Sequence, residues 1–66
     1  MKKAVFLIDP QGKKLPFGDH SGADDRAAIM AAARAYKATV KRITQPGYQL
    51  EAGLVSLPLE QIKGKL

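Results

Sequence analysis

The stretch that decides the fold is SGADDRAAIMAAARAYKATVKR, residues 21–42. Its first residues are polar and acidic, its middle is rich in alanine, and its end is basic. Acids near the start and bases near the end suit the dipole of a helix, and alanine is the strongest helix former. We therefore predict one helix from about residue 23 to residue 37 or 38.

The start and the inner face of this helix follow from spacing. Ser21 and Asp24 are three residues apart, a capping-box-like pattern that predicts the helix start. At 100° per residue one face is narrow and consists mostly of methyl groups, which lets a helix lie close to a sheet. We expect two larger side chains on that face, Ile29 and Tyr36, to anchor the helix.

The residues before the helix predict a hairpin. Residues 3–9 predict a strand, and its residues 5–8 are apolar on both faces, which is typical of the middle of a sheet. The sequence Asp9-Pro10-Gln11-Gly12 has the residue types of a type I turn followed by a bulge. Residues 13–17 then return as a short edge strand, because Pro16 cannot donate to a ladder, and residues 18–22 form a loop.

The residues after the helix predict a further strand over 38–45. Val40 and Ile43 differ in parity, so either the strand bulges or one of them faces a second layer. Pro46-Gly47 then occupies the centre of a type II turn, 45–48.

The last third of the chain predicts one more strand and a short helix. Residues 48–52 alternate, Gly53 marks a bulge, and residues 54–57 continue the strand. Residues 59–63 form one helical turn after Pro58, which ends at Gly64.

The element order is therefore β-β-α-β-β with an optional C-terminal helical turn. Sixty-six residues make a single small domain, 1–66. We predict the α+β class, with an antiparallel or mixed sheet of three to four strands and one helix across one face.

Size and composition restrict the ways in which this domain is stabilised and located. There is no cysteine and only one histidine, which excludes disulfides and argues against a structural zinc site. A core this small favours regular packing or self-association, so a homodimer is one expectation. The apolar run of residues 4–8 is far short of the ~20 residues of a membrane span, so we expect a mature cytoplasmic protein without membrane contact.

The acids and the lone histidine favour structural roles over catalysis. Asp9 starts a turn, Asp24 and Asp25 lie at a helix N-terminus, and Asp19 with His20 decorates a loop. No nucleophile-base arrangement or phosphate-binding glycine motif is recognisable. We expect no enzyme activity, no metal and no cofactor.

Two surfaces are candidates for binding. The net charge of +5 favours anionic partners, and a basic patch that binds nucleic acid with weak sequence specificity would consist of Lys13, Lys14, Arg34, Lys37, Lys41 and Arg42. The leading hypothesis is instead an exposed sheet face that binds a protein partner or a second copy. Its side chains would be Phe17, Tyr48, Leu50, Leu54 and Leu57.

Overall fold

The computed structural model describes residues 2–66 and confirms the α+β class and the β-β-α-β-β order. One antiparallel sheet has the strand order β2-β1-β3-β4, and all helices pack on one of its faces. The elements are β1 (Lys2–Ile8), β2 (Lys14–Ser21), α1 (Asp25–Ala35), α2 (Lys37–Arg42), β3 (Gln49–Ala52), β4 (Val55–Pro58) and α3 (Leu59–Lys63).

The first hairpin has the predicted turn but a longer second strand. Asp9 accepts backbone hydrogen bonds from Gln11 and Lys13, and Gly12 has a φ of 88°, which closes the turn. β1 is an interior strand and β2 an edge strand, as predicted. The predicted loop over 18–22 is wrong, because β2 continues to Ser21 through a shift of register opposite Ala4 to Phe6. This irregularity lets the edge strand resume pairing after Pro16.

The helix α1 begins at Asp25, later than the predicted start near residue 23. Asp24 is the N-cap, and its carboxylate accepts the Ala27 N–H at 2.8 Å, whereas Ser21 still belongs to β2. The predicted anchor Ile29 is fully buried. Tyr36, the second anchor, ends α1 with a φ of −109° and a ψ of 34°, and it is 40% exposed while its ring stacks on Phe17.

The predicted strand over 38–45 is wrong, because residues 37–42 form the helix α2. Its backbone follows directly from α1, since the Val40 N–H donates to the Tyr36 carbonyl oxygen at 2.9 Å. Val40 is fully buried and Ile43 packs against the core three residues later. Two residues three positions apart lie on the same side of a helix but on opposite faces of a strand. The helix therefore explains why Val40 and Ile43 are both apolar.

The third and fourth strands come from the last third of the chain and form a second hairpin. Gly47 has a φ of 96°, which fits the predicted turn before β3. The prediction of one strand through residues 54–57 is wrong, because the chain reverses at Gly53 and Leu54. Gly53 has a φ of 56° and Leu54 a negative φ, so a two-residue turn replaces the expected bulge.

The core lies between the sheet and the three helices. The predicted helical turn after Pro58 is confirmed as α3, which buries Leu59 and Ile62, and Lys63 donates to the Ile43 carbonyl oxygen. The other core residues belong to all four strands and to α1 and α2: Val5, Leu7, Phe17, Ala28, Ile29, Ala32, Ala33, Val40, Leu50, Ala52 and Leu57.

Candidate functional site

The six cations of the predicted patch divide between different parts of the molecule. Lys14 lies on the sheet face away from the helices, since it is paired in register with Ile8 and its Nζ is 5.8 Å from the centroid of the Phe6 ring. Lys13 is an exposed residue of the first turn. The remaining four, which we call the basic surface, lie on the helical side: Arg34, Lys37, Lys41 and Arg42.

The basic surface is compact and exposed. Arg34 is in the last turn of α1, and Lys37 and Lys41 lie one turn apart on α2. All four side chains are exposed, and none forms an ion pair with the acids in residues 2–66. All four lie within nine consecutive residues, 34–42, across the junction of the two helices at Tyr36. Four charges are thus close together along the chain.

The distribution of charge along the chain singles out the same region. Residues 26–50 contain five Lys or Arg and no Asp or Glu, whereas the rest of the chain contains six of each. The whole net charge of +5 therefore belongs to the segment that runs from Arg26, the second residue of α1, through α2 to Leu50 in β3. The sequence alone gives this distribution of charge. It distinguishes the helical side from the rest of the chain more clearly than the total number of lysines does.

The opposite sheet face has a different character, and we call it the open face. Register places its apolar side chains on β1 and on its neighbours, and they are exposed or half-buried: Ala4, Phe6, Ile8, Pro16 and Pro58. Lys14 crosses above Phe6 to form a 2.9 Å ion pair with Glu51. Ser56 donates a 3.4 Å hydrogen bond to the same carboxylate.

The apolar residues predicted as an interaction face do not form one surface. Phe17, Leu50 and Leu57 are buried against the helices, and Tyr48 is half-buried beside them. Only Leu54 is fully exposed, at the tip of the second hairpin. The sheet has an exposed face, but alternation places it on the other side of each strand from the buried residues Phe17, Leu50 and Leu57.

The acids near the helix start have structural partners. Asp25 forms a 2.7 Å ion pair with Lys3. The hydrogen bond from Lys3 lowers the pKa of Asp25, partial burial opposes it, and the charge of Lys3 and the Leu54 N–H lower it further. The Nε2–H of His20 donates to the Phe17 carbonyl oxygen at 2.6 Å. Within the described part of the chain, no three His, Cys, Asp or Glu side chains are grouped to hold a metal ion.

Sequence reasoning missed the environment of Tyr36. Its ring stacks on Phe17 with 4.4 Å between centroids and 26° between planes, and His20 meets it edge-on at 6.2 Å. An exposed aromatic residue thus lies in the sequence between two members of the basic surface, Arg34 and Lys37. The signal in the sequence was an aromatic residue flanked by cations at the end of an alanine-rich helix.

Comparison with known proteins adds no relative, because no family model, no curated protein and no solved structure matches this chain. Among residues 2–66, no helix is both long enough and apolar enough to cross a bilayer.

Proposed function

We propose that this protein is a non-catalytic binding module that holds nucleic acid through the basic surface, Arg34, Lys37, Lys41 and Arg42. The observation that carries the proposal is the concentration of the entire net charge in residues 26–50. Proteins that bind phosphate backbones present clustered Lys and Arg on one side of a domain. A nucleic-acid target also fits the cytoplasmic location that the sequence favours.

Local stability alone does not account for this cluster. Arg34, Lys41 and Arg42 lie in the last turns of their helices, where cations suit the helix dipole. Lys37 is different, because it is in the first turn of α2 and one turn before Lys41. Like charges at that spacing destabilise a helix by about 0.2–0.5 kcal/mol. Helix stability therefore does not explain a lysine at this position, and this supports a role in binding an anion.

Contacts between Lys or Arg side chains and phosphates depend little on the base sequence of the nucleic acid. Four phosphate contacts predict a slope of about −2.8 for the logarithm of the binding constant against the logarithm of salt concentration on a single strand. Between about 50 and 200 mM salt the affinity would then fall about 50-fold.

The test is fluorescence anisotropy of a labelled oligonucleotide at these two salt concentrations. Lys41→Glu should weaken binding and, by removing one contact, make the slope shallower by about 0.7. Lys2→Glu is the matched control, since it changes the net charge equally at an exposed position on the open face. Absence of binding at the lower salt concentration, or equal losses in the two variants, would refute the proposal.

A second candidate function is self-association through the open face. The occupant we propose is a second copy, because this face carries two cations and two acids, Lys2, Lys14, Asp19 and Glu51, and is therefore neutral. Two copies can meet there without the repulsion that their helical sides would produce. The sheet edges are poorer contacts, since β2 contains Pro16 and a register shift, and β4 has only four residues and ends at Pro58.

Light scattering over a range of protein concentrations tests this second candidate. A dimer should form in the wild type and be weakened by Ile8→Glu, which introduces a charge on the open face. Leu54→Glu is the control, because Leu54 is fully exposed at a hairpin tip outside that face. A wild type that stays monomeric at high micromolar concentration would eliminate the idea.

A further inference from the structure

We propose that Tyr36 is a stacking platform for one unpaired base, so that the basic surface takes single-stranded nucleic acid in preference to a duplex. The inference rests on the proposed function and narrows its ligand. Base stacking on an aromatic side chain requires a base that is free of its neighbours, which a single strand offers and an intact duplex does not.

The ring of Tyr36 is held in place from inside the protein. Phe17 is 7% exposed and lies against one face of the ring at 4.4 Å between centroids. His20 meets the ring at a near-perpendicular angle of 77°, and its own position is fixed by the hydrogen bond to the Phe17 carbonyl oxygen. These contacts restrict the rotation of the tyrosine before any ligand arrives, and this lowers the entropy cost of stacking.

Tyr36 nevertheless remains 40% exposed, although large aromatic side chains in a domain this small are needed in the core. Its position at the junction of α1 and α2 explains the exposure, because the backbone leaves helical geometry there with a ψ of 34°. The residues around it in sequence, Ala35, Ala38 and Thr39, are exposed and have small side chains.

The cations next to the ring complete the arrangement. Arg34 precedes Tyr36 by two residues and Lys37 follows it directly, and both are exposed. Both long side chains start within two residues of the ring, so the phosphates next to a stacked base can meet a positive charge. Single-strand binders combine a basic track with aromatic platforms in this way.

The alternative is a purely structural role, in which Tyr36 packs on Phe17 and stabilises the end of α1. The two roles differ in what they require of the side chain. Packing requires an apolar group of adequate size, whereas stacking on a base requires a flat π-face. Tyr36→Leu retains the first property and removes the second, and Tyr36→Phe retains both.

The experiment uses the full chain with an oligothymidylate of about fifteen nucleotides and a duplex of equal length, at low salt. The wild type and Tyr36→Phe should prefer the single strand, and Tyr36→Leu should bind it about 5- to 150-fold more weakly while its duplex binding stays unchanged. Tyr48→Leu is the control for loss of a tyrosine elsewhere. Circular dichroism reports whether each variant folds.

A second measurement does not depend on the leucine variant. The chain has no tryptophan, so Tyr36→Trp introduces a single reporter at the platform. Its fluorescence should be quenched by the single strand and not by the duplex. Equal affinities of wild type and Tyr36→Leu for the single strand, or an unquenched reporter with bound oligonucleotide, would overturn the inference and leave the proposed function standing. No binding of either nucleic acid would overturn both.

Discussion

The ammonium group of Lys3 lies 2.7 Å from Oδ1 of Asp25, and this ion pair joins the first strand to the start of α1. The same carboxylate lies against the tip of the second hairpin, where the backbone N–H of Leu54 helps to lower the pKa of Asp25. Gly53 makes this approach possible, since a Cβ there would lie 2.5 Å from Oδ2 of Asp25. One carboxylate thus connects β1, α1 and the turn between β3 and β4.

The first prediction concerns the pH dependence of stability. The folded protein lowers the pKa of Asp25, chiefly through the hydrogen bond from Lys3. The unfolded chain therefore takes up the proton first as the pH falls, so the contribution of Asp25 is present above about pH 4 and is lost as the pH falls through its lowered folded-state pKa.

Urea unfolding at a series of pH values measures this effect. Asp25→Asn should be less stable than wild type near neutral pH, and the difference should shrink as the pH falls below about 4. Asp19→Asn removes an exposed acid that forms no ion pair in the described residues and serves as the control. A constant difference between wild type and Asp25→Asn across the acid range would contradict the assignment.

The second prediction concerns the close approach of Gly22 to the first turn of α1. A Cβ at Gly22 would lie 2.5 Å from the backbone nitrogen of Ala28 and 2.9 Å from the Cβ of Ala27, and a backbone atom cannot move aside as a side chain can. Gly22→Ala should therefore lower the free energy of unfolding by about 1–3 kcal/mol, as overpacking does.

The matched control is Gly64→Ala. Gly64 has a φ of −65°, and the nearest atom to an added Cβ is 3.9 Å away, so alanine should be tolerated or should raise stability by up to about 1 kcal/mol. Equal thermal melts for the two variants would show that α1 does not approach Gly22 closely.

The sequence predicts the elements whose residues have strong local preferences. The turn at Asp9 to Gly12, the alanine-rich helix and the short helix after Pro58 follow from residue types that act over three or four positions. The register shift of β2 could not be predicted, because it depends on how Pro16 and the residues after it pair with β1. Local patterns do not contain that information.

The errors in the candidate site have the same origin. Whether Phe17 and Leu57 face the helices or solvent depends on which side of the sheet the helices cover, and that choice is made by the whole fold. The exposure of Tyr36 depends on the break between α1 and α2. No capping residue in the sequence predicts this break. The predicted cations of α1 and α2 lie together because they are close in sequence, whereas Lys14 depends on tertiary structure and lies on the other face.

The third prediction distinguishes a helix from a strand over residues 37–42. Thr39 is exposed on α2, so its contribution is mainly its backbone preference. Thr39→Ala should raise the free energy of unfolding by up to about 0.7 kcal/mol, since alanine is the better helix former. In a strand the same change would lower stability, because threonine is favoured there. Chemical denaturation gives the sign directly, and a loss of stability would speak against α2.

The fourth prediction separates binding from stability at Lys37. Lys37→Glu replaces a repulsion with Lys41 by an attraction in the favourable order, with the acid one turn before the base. It also places an acid in the first turn of α2. The free energy of unfolding should rise by about 0.5 kcal/mol.

Nucleic-acid binding should change in the opposite direction, because the variant removes one of four cations and adds an anion beside the other three. Weaker binding together with a higher melting temperature cannot come from partial unfolding, so this pair of measurements isolates the electrostatic role of Lys37. Lys37→Gln removes the repulsion without adding an anion and should lie between wild type and Lys37→Glu in both measurements. A Lys37→Glu variant that is more stable and binds as well as wild type would show that the basic surface is not the binding site.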